Sequence, residues 1–462
     1  ADMWKKMAII EKSELWGTCL NRGCIPSKML IYPSDLATHA REDAHNLHIS
    51  WLDQPKIDFQ KLVQETNQRV WADSDSIWPF YERHENIDLY KWHATFIEDK
   101  VVEVNGEQLT AEKIYIATGS VPAIPDIEWL KETPYMTSKD ALKNDKLPKK
   151  MIVIGGGYIA VELGHVYGAA GCDVHFLVRS GMIKAEDKDV REVFEKDFSS
   201  RYNVHFGVSP IKVEYRDEVF FVTLNNWEVM QSDALFVATG VKPMTEWLWL
   251  KNTSITINKR WFIEVNEYLE TKVPWVFALW DVVGNYLFRH SVNYEWEYLF
   301  REHFTKPSIL NSFSPGEKEA AISSLFLGGR DWGRGIKYPP VPHAIFSYPQ
   351  IAGVWVTEDE LIKEWKILWQ DYETASHNYK NSAMGSAMKA EVGFVKLIAD
   401  KKSWKLLWAH ILWEKASDII HMMIVLVSAG ETVDFMLDKM IFIHPALSEV
   451  IRNAARTLKV KL

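Results

Sequence analysis

Short apolar runs followed by glycine-containing turns predict buried parallel strands of an α/β fold. Met151–Ile154 is one such run, and Gly155–Gly157 then opens an apolar segment that reaches about Ala170. Asp173–Val178 is the next apolar run along the chain. Because strand, glycine turn, helix and strand follow in this order, the stretch predicts a complete βαβ unit.

The same alternation of apolar and polar stretches predicts elements elsewhere. They are the strands Lys6–Glu11, Ile114–Ala117 and Leu235–Ala238, the hairpin Val101–Leu109 and the helix Phe59–Trp71. The Asn105-Gly106 pair at the centre of the hairpin is typical of a two-residue turn. Two of the strands run into Ala-Thr-Gly turns, and prolines after the first of these turns fit a linker between domains.

The length predicts two to four domains, because 462 residues are too many for one hydrophobic core. The apolar fraction of 47% and the charged fraction of 25% are those of an ordinary globular protein. A net charge of −9 gives no electrostatic reason to expect nucleic acid or an anionic membrane as partner. Glu162 and His165 interrupt the apolar stretch Met151–Gly171, so no membrane span is expected. Three cysteines in all fit a reducing cytoplasm.

Two of these cysteines, Cys19 and Cys24, stand five residues apart. Their sulfur atoms can meet if the first lies in a turn, which Gly17 and Gly23 permit, and the second opens a helix. A helix N-terminus stabilises a thiolate, so we expect a dithiol of low pKa that closes to a reducible disulfide. The alternatives are a structural disulfide and half of a zinc site. The scarcity of cysteine disfavours the first, and the lack of further closely spaced Cys or His disfavours the second, so no metal is predicted.

The glycine turn predicts a site for a pyridine nucleotide. Glycines let backbone amides approach a pyrophosphate, which the positive end of the following helix attracts. The candidate binding residues at this site are Gly155, Gly157, Tyr158, Ile159 and Gly240. The alternative is a helix that merely packs closely against its sheet.

The end of the strand after the glycine turn indicates which nucleotide binds. An NAD site places Asp or Glu there for the ribose 2′-hydroxyl. This chain instead has Arg179, followed by Lys184, and these cations suit the 2′-phosphate of NADP. The next acids, Glu186 and Asp187, come late. The residues therefore favour NADP over NAD, and a solvated arginine without a nucleotide role is the alternative.

A second candidate for chemistry lies near the end of the chain, where the sequence reads His444-Pro-Ala-Leu-Ser-Glu449. A dithiol substrate must lose a proton before it attacks a disulfide, and imidazole is the natural base. A carboxylate on the distal ring nitrogen fixes the tautomer and raises the basicity. The spacing permits this contact across a turn, although a His-Pro pair also serves as a capping element.

The segment Gly17–Lys28 resembles the active-site segment of the class I pyridine nucleotide-disulfide oxidoreductases, and most of all their dihydrolipoamide dehydrogenase branch. The family writes Gly-Gly-Thr-Cys-Leu-Asn-x-Gly-Cys-Ile-Pro-Ser-Lys, and here only the first glycine differs, being Trp16. The resemblance implies an enzyme that passes electrons between NAD(P)(H), FAD, a Cys19–Cys24 disulfide and a small dithiol or disulfide. In it Cys19 attacks the substrate, and the Cys24 thiolate faces the flavin.

The resemblance also implies roles for other residues. Tyr158 covers the nicotinamide pocket, and Glu162 pairs with Lys28, which lies near the flavin N5 atom. The expected flavin contacts are Glu11, Gly17, Thr18, Lys28, Thr118, Gly119, Ser120 and Asp281. Without such roles, Glu11 and Glu162 would be solvated acids and Tyr158 a helix-face aromatic. His444 reaches the dithiol of the other subunit in the family, which implies a two-fold homodimer.

The fold implied by the resemblance is α/β, with two Rossmann-like nucleotide-binding domains, for FAD and for NAD(P), and a C-terminal α+β dimerisation domain. We expect an FAD-binding domain at residues 1–121, lacking the family's first βα unit, and an NAD(P)-binding domain at 122–241. A second FAD segment at 242–337 holds a loop insertion within 305–338, and the dimerisation domain spans 338–462.

Substrate and partner expectations follow from the same comparison. Dihydrolipoamide is the first substrate expected, because Leu20–Arg22 and His444–Glu449 resemble that branch, and a 2-oxoacid dehydrogenase complex is then a candidate partner. Arg179 departs from that branch, which carries a glutamate at this position. An NADPH-dependent glutathione, mycothiol or mercuric reductase is therefore the alternative.

Tryptophan is unusually abundant, since its 21 residues equal the phenylalanines and exceed the 17 tyrosines. Several stand where the family tends to carry glycine, namely Trp16, Trp275, Trp280, Trp355, Trp404, Trp408 and Trp413. We expect such changes to abolish the turns, and Trp280, directly before Asp281, to obstruct the flavin. Either the recorded amino-acid sequence is wrong at these positions, or the chain is a catalytically silent binding subunit. The retained catalytic residues favour the first explanation.

Overall fold

The computed structural model describes residues 5–49, 55–304, 335–354 and 357–460. The chain forms two compact units. The first unit comprises Ala1–Gly17, Ala72–Val121 and Val241–Tyr338, and the second Thr18–Trp71, Pro122–Gly240 and Pro339–Leu462. Most of the predicted insertion, residues 305–334, lies outside the described residues, as does Trp355. In the described ranges, no helix has both the length and the apolar character needed to cross a bilayer.

The secondary structure confirms the predicted α/β class. The described helices are α1 (Gly17–Arg22), α2 (Cys24–Asn46), α3 (Phe59–Asp75), α4 (Ile77–Glu82), α5 (Ser138–Ala141), α6 (Tyr158–Ala169), α7 (Lys188–Arg201), α8 (Arg289–Phe304), α9 (Glu358–Lys363), α10 (Ala383–Ala387), α11 (Ala416–Ala429), α12 (Val433–Lys439) and α13 (Glu449–Val460). The strands are β1 (Met7–Ile10), β2 (Ile87–Tyr90), β3 (Thr95–Glu98), β4 (Val101–Val104), β5 (Glu107–Thr110), β6 (Ile114–Ile116), β7 (Ser120–Pro122), β8 (Lys150–Ile154), β9 (Asp173–Val178), β10 (Asn203–Phe206), β11 (Pro210–Arg216), β12 (Val219–Leu224), β13 (Val229–Ser232), β14 (Ala234–Val237), β15 (Val241–Pro243), β16 (Val276–Ala278), β17 (Pro342–Ile345), β18 (Ile351–Val354), β19 (Tyr372–Asn378), β20 (Phe394–Asp400) and β21 (Leu406–Leu412).

The first unit contains parallel strand pairs and an antiparallel meander. β1 pairs with β2 and β6 pairs with β16, both in parallel, while β3, β4 and β5 pair antiparallel in chain order. The predicted hairpin turn is present between β4 and β5. Asn105 and Gly106 have φ of 50° and 82° there, as a primed two-residue turn requires. Phe96, Ile116 and Val276 belong to the apolar core of this unit.

The second unit contains the predicted βαβ unit. Its parallel sheet has the strand order β10-β9-β8-β14, and the apolar runs of β8 and β14 are buried. α6 packs against this sheet through a glycine. A Cβ atom on Gly164 would lie 2.3 Å from the ring of Phe176 on β9, so a larger residue would push the helix away. The close packing keeps the glycine turn and the end of β9 in one place.

The C-terminal part of the second unit is an antiparallel sheet with the order β17-β18-β21-β20-β19. Its register places four residues side by side across neighbouring strands, namely His343, Gly353, His410 and Lys396. The last helix, α13, is amphipathic. Its buried residues Val450, Ile451, Ala454, Ala455 and Leu458 recur at helical spacing and join the core of this sheet.

Ten tryptophans among the described residues have a left-handed backbone. They are Trp16, Trp129, Trp227, Trp249, Trp261, Trp275, Trp280, Trp365, Trp369 and Trp404. The expectation that tryptophan would abolish these turns is wrong, because the backbone keeps them. Trp408, within β21, and Trp413 do not have positive φ. A left-handed backbone costs an L-residue about 1–2 kcal/mol, which glycine avoids.

Replacing three exposed left-handed tryptophans by glycine is expected to stabilise the protein. Trp227, Trp261 and Trp365 have φ of 68°, 70° and 62° and are 79%, 62% and 90% exposed. Each change removes about 1–2 kcal/mol of backbone strain and loses about 0.5–1 kcal/mol through the greater freedom of glycine in the unfolded chain. We expect a net gain of about 2 kcal/mol for the triple variant, measured from urea unfolding.

The matched control is Trp71→Gly. Trp71 is 67% exposed, like the other three, but it lies within α3 and not at positive φ. Glycine in a helix interior should lower the free energy of unfolding by about 1 kcal/mol. A triple variant that is no more stable than the parent protein would show that these backbones carry no strain.

Candidate active site

The two cysteines of the predicted dithiol lie in contact on successive helices. Cys19 lies in α1, where a turn was expected, and Cys24 begins α2 as predicted; the pair is in the reduced form. The hydrogen bond from Cys19 lowers the pKa of the Cys24 thiol to about 6, with a further contribution from Lys28, although burial acts against it. Cys24 is therefore largely a thiolate at neutral pH.

A glycine permits the tight connection between the two cysteine helices. A Cβ atom on Gly23 would lie 2.9 Å from the carbonyl oxygen of Thr18, closer than real Cβ contacts. The chain can therefore pass from α1 to α2 in this compact form only with glycine at this position. The compact link is what brings the side chains of Cys19 and Cys24 within hydrogen-bonding distance.

One turn beyond Cys24 on α2, Lys28 forms an ion pair with α6. Its Nζ lies 2.8 Å from Oε2 of Glu162 and 4.3 Å from the ring centre of Phe346. The backbone N–H of Phe346 donates to the other Glu162 oxygen at 2.8 Å. Glu162 is thus a largely buried and fully engaged carboxylate, not the surface acid of the alternative interpretation. The positive charge of Lys28 also favours the Cys24 thiolate.

A second contact joins the same two helices, and the sequence analysis did not predict it. His165 of α6 is completely buried, and its Nε2 lies 2.9 Å from Oδ1 of Asp35 on α2. Its Nδ1 lies 2.8 Å from the hydroxyl of Tyr202, and its ring stacks on Tyr348. The only trace in the sequence was a histidine three residues after Glu162 in an otherwise apolar helix. The sequence around its partner Asp35, 130 residues away, gave no indication of the contact.

The glycine turn has the geometry expected of a pyrophosphate site. Gly155 has φ of 130°, and a Cβ atom on it would lie 2.3 Å from the carbonyl oxygen of Ala238. A Cβ atom on Gly157 would meet nothing within 4 Å, so the space before α6 is open. No side chain caps the N-terminus of this 12-residue helix. Ile159 in the first turn is exposed, and Gly240 also has positive φ, at 103°.

The end of β9 offers exposed cations and no exposed carboxylate. Arg179 and Lys184 are exposed, and the Lys184 ammonium contacts the Ser180 hydroxyl. Glu186 and Asp187 are buried, at 1% and 0% exposure. Neither acid is open to the ribose of a nucleotide, because both are engaged with the C-terminal sheet.

Tyr158 and Glu186 form a hydrogen bond that also escaped the sequence analysis. The Tyr158 hydroxyl donates to Oε1 of Glu186 at 2.6 Å. Oε2 of Glu186 lies 2.9 Å from Nε2 of His343 on β17. Burial alone would raise the pKa of Glu186, but the charge and hydrogen bond of His343 and the Tyr158 hydroxyl lower it, so this carboxylate is ionised.

A group of charged side chains around the buried Lys396 lies next to the hydrogen bond between Tyr158 and Glu186. The Lys396 ammonium on β20 lies 2.9 Å from Asp187, 2.7 Å from Asp189 and 2.7 Å from Glu358. His410 of β21 is fully buried, and neither ring nitrogen has a hydrogen-bond partner among the described side chains. The start of α7 is therefore attached to the C-terminal sheet through charged groups.

The predicted flavin contacts of the first unit lie around Asp281. The Ser120 hydroxyl donates to Oδ2 of Asp281 at 2.6 Å, and burial raises the pKa of Asp281. The Thr118 hydroxyl donates to the carbonyl oxygen of Met244 at 2.9 Å. Gly119 between them has φ of 72° and open space where a side chain would stand. The Trp280 indole packs against an apolar cluster that includes Leu269, Phe277 and Leu279.

Three further predicted flavin contacts lie near the start of the chain. Oε1 of Glu11 accepts a hydrogen bond from the backbone N–H of Ser13 at 2.8 Å, so this carboxylate caps the chain just after β1. Gly17 has φ of 57° and begins α1, and Thr18 beside it is exposed. This bond engages one of the two carboxylate oxygens of Glu11.

The histidine and glutamate near the C-terminus lie in contact across a cis-proline turn. Nδ1 of His444 is 2.9 Å from Oε2 of Glu449, and the peptide bond before Pro445 is cis. Arg452 donates to the other oxygen of Glu449 at 2.6 Å. Burial would raise the pKa of Glu449, but the hydrogen bonds from His444 and the Ala446 N–H lower it. The His444 ring is exposed, which leaves Nε2 as the nitrogen suited to act as a base.

Comparison with known proteins places these residues in a family context. Residues 4–296 match the family described as pyridine nucleotide-disulphide oxidoreductase, and residues 341–455 match its dimerisation domain. The chain is 29% identical to mycothione reductase of Mycobacterium tuberculosis, covering 98% of this chain and 95% of the relative. It is 30% identical to mercuric reductase of Staphylococcus aureus, covering 94% and 74%, and 29% identical to dihydrolipoyl dehydrogenase of Cupriavidus necator, covering 96% and 89%.

The fold also matches a solved structure. The Cu(II) complex of the HOCl-induced flavoprotein disulfide reductase RclA from Escherichia coli superposes with a TM-score of 0.82. That match covers 98% of this chain and 94% of the other, at 23% identity. An identity this low shows a shared fold and no more.

Proposed function

Because the chain belongs to the pyridine nucleotide-disulphide oxidoreductase family, we propose that it reduces a small disulfide at the expense of NADPH. Members of this family use FAD and a pyridine nucleotide. The observation that carries the proposal is the hydrogen-bonded pair of Cys19 and Cys24, in which the pKa of Cys24 falls to about 6. A thiolate at neutral pH next to a second thiol is the arrangement that thiol–disulfide exchange needs.

The residues present fit both cofactors. For the nucleotide, the open space at Gly157 and the uncapped start of α6 offer backbone amides to a pyrophosphate. For the flavin, Asp281 and the turn around Gly119 would hold the ribityl chain and phosphates. The indole of Trp280 packs against an apolar cluster and the Asp281 carboxylate bonds to Ser120, which supports a flavin site at this aspartate beside the tryptophan. When bound, FAD relays two electrons from the nucleotide to the cysteine pair.

The reduced cysteine pair would cleave the substrate in two exchange steps. The Cys19 thiol would first give its proton to a base, and its sulfur then attacks one sulfur of the substrate disulfide, forms a mixed disulfide and releases the other half as a thiolate. The Cys24 thiolate then attacks the Cys19 sulfur, which closes the Cys19–Cys24 disulfide and releases the second half. Two electrons leave the protein, and the two substrate thiolates take up two protons. The ion pair of Lys28 with Glu162 holds a positive charge near Cys24 throughout.

The proton for the first leaving thiolate would come from His444. Its bond to Glu449 through Nδ1 orients the ring, so that Nε2 can take the proton of the Cys19 thiol and donate it to the leaving thiolate. In the family this histidine serves the dithiol of the other subunit, so the proposed enzyme is a two-fold homodimer. The match to the dimerisation domain supports that assembly.

Dihydrolipoamide dehydrogenase is the second candidate function. The similarity to the Cupriavidus necator dihydrolipoyl dehydrogenase supports it, and the exchange chemistry would then run from dithiol to disulfide. The end of β9 argues against this second candidate. Arg179 stands there in place of the carboxylate expected for NAD, and the next acids along the chain are buried. A 2-oxoacid dehydrogenase complex is a partner only under this second candidate.

A steady-state assay with two nucleotides and several substrates tests the proposal. The FAD-loaded protein is given NADPH or NADH with mycothione, glutathione disulfide, mercuric ion or lipoamide, and in a separate reaction NAD with dihydrolipoamide. We expect NADPH to support faster reduction of a low-molecular-weight disulfide than NADH. Fast reduction of NAD by dihydrolipoamide with no NADPH-dependent reductase activity would overturn the first candidate in favour of the second. A protein that binds flavin but accepts no electron pair from either nucleotide would overturn both.

Arg179→Glu is expected to reverse the nucleotide preference. The substitution removes the cation proposed for the 2′-phosphate and supplies a carboxylate for a ribose 2′-hydroxyl. We expect kcat/KM for NADPH to fall about 100-fold, which corresponds to the loss of one charge-assisted contact plus the added repulsion. Kinetics with NADPH and with NADH at a fixed disulfide concentration measure the change. Lys196→Glu, an equal charge change at an exposed site on α7, should leave the ratio unaltered.

A further inference from the structure

Two histidines face each other across neighbouring strands of the parallel sheet in the second unit. His175 lies on β9 and His205 on β10, the outermost strand in the sheet order. The register sets His205 beside Leu177, two residues after His175, so both imidazoles lie on the same face of the sheet. Nδ1 of His175 is 3.0 Å from Nε2 of His205, and the two ring planes differ by 12°. Folding thus joins two potential metal ligands that stand 30 residues apart in the chain.

A carboxylate fixes the tautomer of His175. Oδ2 of Asp173 lies 3.1 Å from Nε2 of His175, and a carboxylate only accepts hydrogen bonds. Nε2 therefore carries the hydrogen, and Nδ1 directs its lone pair towards His205. Asp173 is itself held from the neighbouring strand, because the Asn203 side-chain amide donates to its Oδ1 at 2.9 Å. Histidines that bind a metal ion typically donate their other ring N–H to a carboxylate in this way.

The separation of the two facing nitrogens suits ligation of one ion. Nitrogen ligands lie about 2.1 Å from a bound transition-metal ion, so two of them at a right angle are about 3.0 Å apart. The observed separation is 3.0 Å. An ion can approach from solvent, since the His175 side chain is 14% exposed and that of Asp173 is 51% exposed. Within the described ranges, no group of three or more His, Cys, Asp or Glu side chains could hold a metal ion, so water would complete the coordination here.

We propose that His175 and His205 bind one divalent transition-metal ion, with Asp173 as the positioning residue that directs Nδ1 of His175 at the ion. Imidazole nitrogens suit such ions, and a right angle between them favours the square-planar or tetragonal geometry of Ni²⁺ and Cu²⁺ over the tetrahedral geometry of Zn²⁺. The site does not depend on the proposed function, because neither the cysteine pair nor the glycine turn takes part.

Binding needs only a small change in the two rings. The hydrogen on Nε2 of His205 moves to Nδ1 of the same ring through water, which leaves the ring neutral and frees the Nε2 lone pair. Small rotations of the imidazoles then point both lone pairs at the ion. No electron is transferred and no proton is released overall. The ion would replace the hydrogen bond between β9 and β10 by two coordinate bonds.

The experiment is a calorimetric titration of the FAD-loaded protein, without a histidine tag, with Ni²⁺. The protein is kept oxidised, so that Cys19 and Cys24 are joined and offer no thiolate to the metal. We expect the parent protein to bind one Ni²⁺ per chain. His175→Gln and His205→Gln should each weaken binding by more than about 100-fold, because a ligand is lost. Asp173→Asn should weaken it about tenfold, as the loss of an outer carboxylate does.

His421→Gln is the matched control. His421 is an exposed histidine of α11, and its Nδ1 bonds locally, to the Ser417 carbonyl oxygen at 2.9 Å. This variant should bind Ni²⁺ as tightly as the parent protein. A loss as large as that in His175→Gln would show that Ni²⁺ binds surface histidines without preference, and would overturn the site.

A parent protein that binds no Ni²⁺ overturns the proposal. Parent-like affinity in both His175→Gln and His205→Gln does so as well, because the ion then binds elsewhere. Should the histidine variants fail to fold, Asp173→Asn decides, since it changes one atom of a half-exposed side chain. Unaltered affinity in that variant would overturn the positioning role of Asp173. A pair that served only to hold β10 against β9 would change stability in these variants without any bound metal.

Discussion

Serine in place of Cys24 is expected to abolish disulfide reduction, by about 10⁴-fold or more in kcat/KM. The hydroxyl of serine is neither ionised at neutral pH nor able to close a disulfide with Cys19. The mixed disulfide with substrate would therefore persist. A stopped NADPH oxidation and a covalent adduct of Cys19 with one substrate half, seen by intact mass, are the expected observations.

The same residue predicts a pH dependence of thiol reactivity. With a Cys24 pKa of about 6, about a tenth of the reduced protein carries the thiolate at pH 5 and about nine tenths at pH 7. The alkylation rate of the reduced protein by iodoacetamide should rise between these values and then level off. In the Cys24→Ser variant this rise should be absent. A midpoint above pH 8 in the parent protein would contradict the proposed thiolate.

The third cysteine supplies the control. Cys172 lies buried in the core next to β8, and burial raises the pKa of its thiol to about 12. Cys172→Ala should retain the activity and the alkylation profile of the parent protein. A loss of activity in Cys172→Ala equal to that in Cys24→Ser would show that both changes act on folding and not on exchange.

Removal of the His444 imidazole should have the next largest effect. His444→Gln is expected to lower kcat/KM for the disulfide by about 10²–10⁴-fold, because the leaving thiolate loses its proton donor. The substitution should not affect hydride transfer from NADPH to the enzyme, which precedes the exchange steps. Rapid-mixing measurement of the reductive half-reaction, followed by the reaction of reduced enzyme with substrate, separates the two.

Glu449→Gln tests the orienting role of the carboxylate. The amide keeps the shape of the side chain but offers Nδ1 of His444 no charged acceptor, so the ring is held less firmly and we expect kcat/KM for the disulfide to fall by about 10²-fold. His421→Gln is the matched control, since this exposed histidine of α11 bonds only locally, to the Ser417 carbonyl oxygen at 2.9 Å. Equal losses in His421→Gln and His444→Gln would argue against a specific base.

Local sequence predicted the elements whose apolar residues are consecutive or regularly spaced. β9 has the predicted bounds Asp173–Val178, and α6 ends one residue before the predicted limit. A strand that is buried on both faces consists of consecutive apolar residues, and such a run can be recognised in the sequence alone. The expectation that Cys19 lies in a turn is wrong. The six-residue helix α1 has neither regularly spaced apolar residues nor a helix-favouring composition from which it could have been predicted.

Contacts between distant residues were predicted only where the family motif joined them. Lys28 with Glu162 followed from the resemblance, whereas Asp35 with His165 and Tyr158 with Glu186 did not. Nothing in a local pattern records which of many polar residues will face each other after folding. The sign of φ is equally hidden when the residue is not glycine, so Trp129 and Trp227 gave no indication of their left-handed backbone.

The paired contacts between α2 and α6 have a mechanical consequence. Lys28 with Glu162 and Asp35 with His165 join the helices at two levels, seven residues apart on α2, which is about 10 Å along its axis. Two contacts at different levels restrain both sliding and rotation of α2 against α6, whereas a single contact would allow the helices to rotate about it. The start of α2, which carries Cys24, and the start of α6, which follows the glycine turn, are therefore expected to move together.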